Sequence, residues 1–371
     1  MVGMGANGDP GVAVVGGGLA GFTAYLTLRH AGVEDVVVFA TERDPAGPFA
    51  RRAAAIRQRA MRSESDGHCF PRSFPGLAVR DAVRRRSPRP LLGTATNRYR
   101  PSLDLFLAHV RELREGSRWD EAVDERRVES IRAVDGGFEL DGRGPFRHVL
   151  VAPGHAGASV PPELRGDPRV VHAYEPHEYA REVAVVGAGM AAATEWLNAL
   201  AAGAAVTSVR RREPLRRPLN VARPLFSKRG LAAFHATSPA QRAELLVELS
   251  APSYPKGRDW DEPVERAERE GRFCVRDRVD GAEQVICATG FLRGFRHNPL
   301  LAALVDDHGL ETVDRWIVLD PDATVPTLSN GGRTVALTGA PAQWAYPASD
   351  TLVGMKWVAR RFARRVLCPT R

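Results

Sequence analysis

Val12-Ala-Val-Val-Gly-Gly-Gly-Leu-Ala-Gly-Phe22 is the stretch whose reading decides the fold. Val12 to Val15 reads as a short apolar strand, and Gly16, Gly18 and Gly21 follow at the spacing G-x-G-x-x-G. A helical pattern comes next through Phe22, Tyr25, Leu26 and Leu28, and Gly32 ends it. In such a strand–turn–helix the first glycine permits the tight turn and the second lets a diphosphate approach the backbone. The third lets the helix lie close to the sheet. The diphosphate then rests on free N–H groups at the positive helix end, so Leu19 and Ala20 join the glycines as candidate contacts. A second strand, Glu34 to Phe39, supplies the context that separates a dinucleotide-binding turn from an ordinary glycine-rich loop.

The device recurs at Glu182-Val-Ala-Val-Val-Gly-Ala-Gly-Met-Ala-Ala192, where Gly187, Gly189 and Ala192 fit G-x-G-x-x-A and Met190 opens the helix. That helix runs through Trp196, Leu197 and Leu200 to Gly203. Two fingerprints imply two adenine dinucleotides, or one working site and a duplicate that has lost its ligand. The residue that ends the second strand distinguishes the two halves. A dinucleotide fold usually places an acid there for the ribose hydroxyls. The first half holds Ala40, with Glu42 two residues on. Either Glu42 reaches back to the ribose, or Thr41 and backbone groups stand in and Glu42 is a solvated loop carboxylate. The second half presents Arg210-Arg-Arg-Glu213 after the strand Ala205 to Val209. Arg210 and Arg211 there suit the 2′-phosphate of NADP better than NAD, set against the chain's general arginine richness.

The chain's 371 residues support more than one buried core, and 44% apolar with 26% charged residues is ordinary for a globular protein. No apolar run is long enough to cross a bilayer. Met1 to Pro10 lacks a basic n-region and does not read as a secretory signal, so a cytoplasmic location is expected. The formal charge of +8 is carried almost wholly by arginine, since lysine occurs only at 228, 256 and 356. With abundant Ala, Gly and Pro this reads as compositional bias and not as a nucleic-acid or membrane surface. Cys69, Cys274, Cys287 and Cys368 form no C-x-x-C and no metal-ligand cluster, so neither a redox disulfide in such a unit nor a metal is expected.

Arg51 to Arg62 reads as helix, and the polar Met61-Arg-Ser-Glu-Ser-Asp-Gly-His-Cys-Phe70 as a loop of the kind that carries function. Arg84 to Arg86 reads as a solvated run. Pro101 to Leu113 reads as an amphipathic helix with Leu103, Phe106, Leu107, Val110 and Leu113 inward. Val128 to Val134 and Gly137 to Leu140 form a hairpin about Asp135-Gly136, and Phe146 to Ala152 is a strand. Ser238-Pro-Ala-Gln241 is a capping box starting a helix through Leu249. Asn220 to Trp260 carries no other motif, and either contributes substrate contacts or backs the second domain. Gln284 to Phe291 is a strand ending in Ala-Thr-Gly, Arg315 to Leu319 another, and Thr334 to Gly339 the last. Pro347 to Leu352 opens a closing helix through Val358 and Phe362. Its N–H groups either face an electron-rich ring edge or simply start a helix.

This constellation resembles the two-dinucleotide-domain flavoproteins over about residues 11 to 365, most nearly the flavin-containing and N-hydroxylating (class B-like) monooxygenases. The resemblance implies an α/β fold of two Rossmann-like three-layer domains, the NADP domain inserted in the FAD domain: 1–155, 156–285 and 286–371. It implies FAD and NADPH as cofactors, with Thr289, Gly290, Gly339, Ser349 and Leu352 joining the glycine turns as cofactor contacts. Leu164-Arg-Gly-Asp-Pro-Arg-Val-Val-His-Ala-Tyr174 echoes the family's F-x-G-x-x-x-H-x-x-x-[FY] segment through Gly166 and His172, with Leu164 for the Phe and a shifted spacing. Met61-Arg-Ser63 resembles the loop beside the flavin, so Arg62, Ser63 and His172 are the candidates for catalytic support, with His68 and Cys69 as lesser ones. Ala40 and Ala340 depart from the family's ribose acid and ribitol-binding Gly-Asp. The implied reaction passes hydride from NADPH to the flavin, forms a C4a-(hydro)peroxyflavin with dioxygen and oxygenates a small-molecule N, S or carbonyl carbon. A flavin reductase or dehydrogenase without oxygen insertion, and a degenerate nucleotide-binding scaffold, are the alternatives.

Overall fold

In the computed structural model the described residues are 11–61, 76–95, 99–217, 221–330 and 332–368. β1 (Val12–Val15), α1 (Leu19–His30), β2 (Val36–Ala40) and α2 (Gly47–Ala55) open the chain. A helical stretch follows, α3 (Gly76–Arg85), α4 (Arg89–Ala95), α5 (Leu103–Glu115) and α6 (Trp119–Ala122). β3 (Val123–Glu125) leads to an antiparallel meander, β4 (Ile131–Val134), β5 (Gly137–Leu140) and β6 (Arg143–Phe146), before β7 (His148–Val151). The second unit contains β8 (Val170–His172), β9 (Glu182–Val186), α7 (Met190–Ala201) and β10 (Ala205–Val209). It continues through β11 (Leu215–Arg216), α8 (Lys228–His235), α9 (Pro239–Leu249), β12 (Ser253–Tyr254), α10 (Arg258–Arg269), β13 (Phe273–Arg276) and β14 (Gln284–Cys287). α11 (Pro299–His308), β15 (Thr312–Val313), β16 (Trp316–Ile317), β17 (Thr334–Leu337) and α12 (Leu352–Leu367) close the chain.

Two five-stranded parallel sheets result, ordered β17-β7-β1-β2-β3 and β13-β10-β9-β14-β8. Because β17 pairs with β7, everything from β8 to β14 is an insertion between neighbouring strands of the first sheet. Parallel strands are covered on both faces, which is why Val12–Val15, His148–Val151 and Thr334–Leu337 are buried without alternation. α1 and α12 pack together against the first sheet, and Phe146 of the meander meets Phe39 edge-on at 5.8 Å. Among the described residues no helix is long and apolar enough to cross a membrane.

Several elements differ from the sequence expectation. α2 stops at Ala55, because Arg57 takes a left-handed φ of 47° that no helix continues through. Arg84 and Arg85 are not simply solvated: both hold the fully buried carboxylate of Asp81. Phe146 to Ala152 is divided between the meander and β7, and Arg315 to Leu319 shrinks to Trp316–Ile317. The closing helix begins at Leu352 and not near Pro347, because the Thr351 side chain caps it at the Gly354 N–H (3.1 Å).

The insertion does not stay with its own sheet. Between β11 and β12 the chain crosses to the first unit, where Leu231 and Phe234 of α8 and Ala243 and Leu246 of α9 join the core built around β1. His235 Nε2 donates to the Ala345 carbonyl at 2.7 Å and fixes this junction. The Ser238 capping box is formed in full.

Candidate functional site

The two glycine turns share one geometry. Gly16 has a φ of 109°, and a Cβ on it would lie 2.1 Å from the Ala152 carbonyl oxygen. Gly187 has a φ of 131°, with the Ala288 oxygen at 2.5 Å from such a Cβ. Each turn is anchored to the neighbouring strand, Gly16 N–H to Phe39 O at 2.8 Å and Gly187 N–H to Val209 O at 3.0 Å. At the middle glycines, Gly18 and Gly189, a Cβ would meet nothing within 4 Å. These two also start α1 and α7, and among the described residues no side chain caps either helix. Leu19 and Ala20 in one helix and Met190 in the other therefore begin beside open space with uncapped N–H groups, and a diphosphate fits both places. At the third position Gly21 would put a Cβ 1.8 Å from Gly16 O, whereas the second turn accommodates Ala192.

The ends of the second strands diverge. Ala40 is buried, and a Cβ on Gly17 would come within 2.4 Å of its own Cβ. Glu42 is held by Arg51 of α2 in a two-pronged pair, Nη1–Oε2 2.9 Å and Nη2–Oε1 2.7 Å. In the second unit Arg210 is only 12% exposed, lies over the Trp196 ring at 5.5 Å and pairs with Glu213 at 3.1 Å. Its Nε is buried without an acceptor among the described residues. Arg211 points away, 87% exposed and paired with Glu163. Arg216, which sequence reasoning passed over, lies over Tyr254 at 4.1 Å, pairs with Asp261 and also has a buried Nε without an acceptor. Tyr254 meets Trp196 edge-on at 5.7 Å, so Arg210 and Arg216 flank one aromatic pair. Two guanidinium groups beside the Trp196–Tyr254 pair, each with a buried Nε that has no acceptor among the described residues, fit a phosphate. The missed signal is the two-residue parallel pairing of β11 with β12, which no local pattern marks.

The linkers between the units run side by side. Ala158 bridges Phe291, Ser159 N–H donates to Gly290 O and Leu292 N–H to Gly157 O, both at 2.9 Å. The Thr289 hydroxyl donates to the Ser159 carbonyl. His172 is buried with both nitrogens engaged: Nδ1 accepts from Tyr174 N–H (3.2 Å) and Nε2 donates to Gly290 O (3.0 Å). Burial lowers its pKa, partly offset by the Gly290 bond, so it stays neutral and orients the Ala-Thr-Gly turn. Above the crossing, His155, Phe291 and Tyr174 form a parallel stack, 4.0 and 4.9 Å between centroids, with Arg52 of α2 5.0 Å from the Phe291 ring. Burial, Arg52 and Arg293 push His155 down to about 4. Asp350 lies just before α12 beside Arg293 and Gln343, with the protein packed around its carboxyl. That crowding raises its carboxyl pKa against the pull of its own backbone N–H, Arg293 and Gln343. Ser349 donates to Gly339 O at 2.7 Å, tying the last strand's turn to the start of α12, where Leu352 is buried.

A second contact joins the units. Arg57 donates to His177 O (3.1 Å), pairs with Glu178 and covers the Tyr179 ring at 4.4 Å. Tyr179 and His177 both donate to the buried Glu195 of α7, at 2.8 and 3.1 Å. His177 Nδ1 also lies 2.7 Å from Glu175 O, and an oxygen partner on each ring nitrogen favours the doubly protonated ring. Burial alone would lower His177, but the bonds to Glu195 and Glu175 O raise it above its ordinary value. Arg62, Ser63, His68 and Cys69 lie outside the described residues. No group of metal-ligating side chains occurs among the described residues.

Two open glycine cradles on nested Rossmann units, with the second unit inserted in the first, define a two-dinucleotide-binding flavoprotein fold. The family model described as pyridine nucleotide-disulphide oxidoreductase matches residues 10–222, more than half of the chain. The chain belongs to that family. No curated protein matches it. Among solved structures it is similar to the ornithine hydroxylase of Pseudomonas aeruginosa, with 17% identity, 96% of this chain and 98% of that one covered, and a TM-score of 0.69. It is also similar to an ornithine N-hydroxylase of Kutzneria sp. 744, solved with reduced FAD, NADP+ and L-ornithine (14%, 97% and 99%, 0.73). The bacillithiol disulfide reductase of Bacillus cereus is a third relative in fold (16%, 96% and 99%, 0.57).

Proposed function

We propose that the chain is an FAD- and NADPH-dependent monooxygenase that hydroxylates an amine nitrogen of a small molecule, with dioxygen as co-substrate. The supporting observation is a likeness, over nearly the whole of both chains, to N-hydroxylating relatives on a scaffold whose two cradles are both open. In this reading residues 1–155 and 286–371 carry FAD and 156–285 carry NADPH. Gly16, Gly18, Leu19, Ala20 and Gly21 hold the FAD diphosphate on the α1 N–H groups. Backbone groups near Ala40 serve the ribose, since Arg51 already engages Glu42. Gly187, Gly189, Met190 and Ala192 hold the NADPH diphosphate, and Arg210 with Arg216 holds its 2′-phosphate. Gly339, Ser349 and Leu352 set the start of α12 at the flavin's edge. When bound, FAD supplies hydride acceptance and oxygen activation that no side chain performs. The protein's part is to orient the two rings and exclude water.

The test is product and electron accounting in the FAD-loaded enzyme, screened against small amines. NADPH oxidation matched by hydroxylated amine supports the reading. NADPH oxidation matched wholly by hydrogen peroxide, whatever amine is added, sinks it. The reductase relative keeps a second reading alive, hydride transfer to a small acceptor without oxygen insertion. NADPH consumption with an electron acceptor but no oxygen would select it.

A further inference from the structure

The junction between the α8–α9 excursion and the first unit holds buried donors with no acceptor among the described residues. Arg242 of α9 lies over the rings of Phe234 and Trp344, 5.4 and 5.0 Å from their centroids, and donates through Nη2 to His235 O at 2.7 Å. Arg361 of α12 lies over Trp357 at 4.0 Å. The Nε of each arginine is buried without an acceptor among the described residues, and so is the indole N–H of Trp344, a side chain only 1% exposed. Neither arginine has an ion pair among the described residues, whereas the half-buried Arg216 and Arg365 pair with Asp261 and Asp322. Trp357, the ring under Arg361, stacks on Tyr346 at 4.5 Å, and His235 bonds to Ala345 O beside Trp344, so Arg242 and Arg361 sit at the same Trp344–Tyr346 turn, and both lower the His235 pKa. Asp322, the acid whose charge acts on Arg361, is already taken by Arg365 and the Thr324 hydroxyl. Burial disfavours the charge on both arginines.

Half-buried guanidinium groups without a counter-ion are costly unless an anion joins them. A guanidinium fork and an indole N–H suit the planar or tetrahedral oxygens of an oxyanion. We propose that Arg242, Arg361 and Trp344 Nε1 form a binding site for a small-molecule oxyanion, a carboxylate or a phosphate ester, apart from both glycine cradles. The α8–α9 excursion supplies one wall of this site and α12 the other. The proposal does not depend on which atom, if any, the enzyme oxygenates.

The test is calorimetric titration of the FAD-loaded full chain with inorganic phosphate and, separately, with acetate, at constant ionic strength. An Arg210→Gln/Arg216→Gln background with saturating NADP+ removes both guanidinium groups of the other candidate phosphate site and fills the second glycine cradle. One saturable site is expected, weakened about tenfold or more by Arg242→Gln and by Arg361→Gln. Stronger binding of phosphate identifies an ester, and stronger binding of acetate a carboxylate. Both glutamine variants should also melt higher than the parent in anion-poor buffer, because they remove an unpaired charge; a purely structural arginine would lower the melting point. If a glutamine variant fails to fold, Arg242→Lys and Arg361→Lys keep the charge without the fork and should still weaken binding severalfold. Absence of saturable binding of both anions, or unchanged affinity in the folded variants, overturns the site.

Discussion

The two glycine arms perform the same fold at different clearances. In the first, Gly21 lies so close to Gly16 O that a methyl group has no room, and the next strand ends in a small residue pressed on Gly17. In the second, the helix stands off enough for Ala192, and the corresponding strand end carries a half-stacked arginine. The fingerprint is a set of separate clearances, each of which can be relaxed where the ligand does not use it. What both arms keep is the empty space at the middle glycine.

The sharpest way to break the comparison is to exchange the third residues. Gly21→Ala forces backbone apart and is expected to cost about 3 kcal/mol or more, with loss of bound FAD. Ala192→Gly should cost only about 1 kcal/mol, the helix penalty of glycine. Flavin absorbance after gel filtration and a thermal melt measure both. If Gly21→Ala keeps its flavin, the tight packing of the first arm is wrong.

The strand ends come next in size. Arg210→Ala should raise the KM for NADPH about 10- to 100-fold and leave NADH nearly unaffected, the range expected for losing a charge-assisted bond. Arg216→Ala should move in the same direction. Arg211→Ala, exposed and paired at the surface, should change it less than about threefold. Equal losses for NADPH and NADH would remove the phosphate assignment of Arg210.

The smallest effect concerns the contact between the arms. His177 has a folded pKa above its ordinary 6.5, so the stability it adds is fully present below pH 6.5 and is lost as pH rises through the folded value. The melting-temperature gap between the parent and His177→Gln should therefore narrow by a few degrees from acid to alkaline pH. A gap that widens with pH would show that the ring is held neutral.

Much of this was legible locally. Strand runs, glycine turns and the Ser238 capping box depend on neighbours within one turn or one strand, and they sit where the residues place them. The expected start of the closing helix at Pro347 failed because Thr351 offers a better cap and Gly354 packs against Ala348 O, where a Cβ would lie 1.9 Å away. Contacts between distant segments were not legible. Nothing in Leu231 or Phe234 names the core they enter, and Arg216 reaches Tyr254 only through a two-residue ladder. The His155–Phe291–Tyr174 stack joins three segments that share no sequence pattern.

The excursion of α8 and α9 bears on how the chain is made. A nascent chain extruded as far as β7 lacks β17, which completes the first sheet, and lacks Leu231, Phe234 and Leu246, which seal its interior. The first unit cannot mature until the insertion has been made, and excising the insertion at its neighbouring ends would unseal the host. The first unit is bound to assemble late, and truncations that cut the insertion away from it should emerge from the ribosome as chaperone clients.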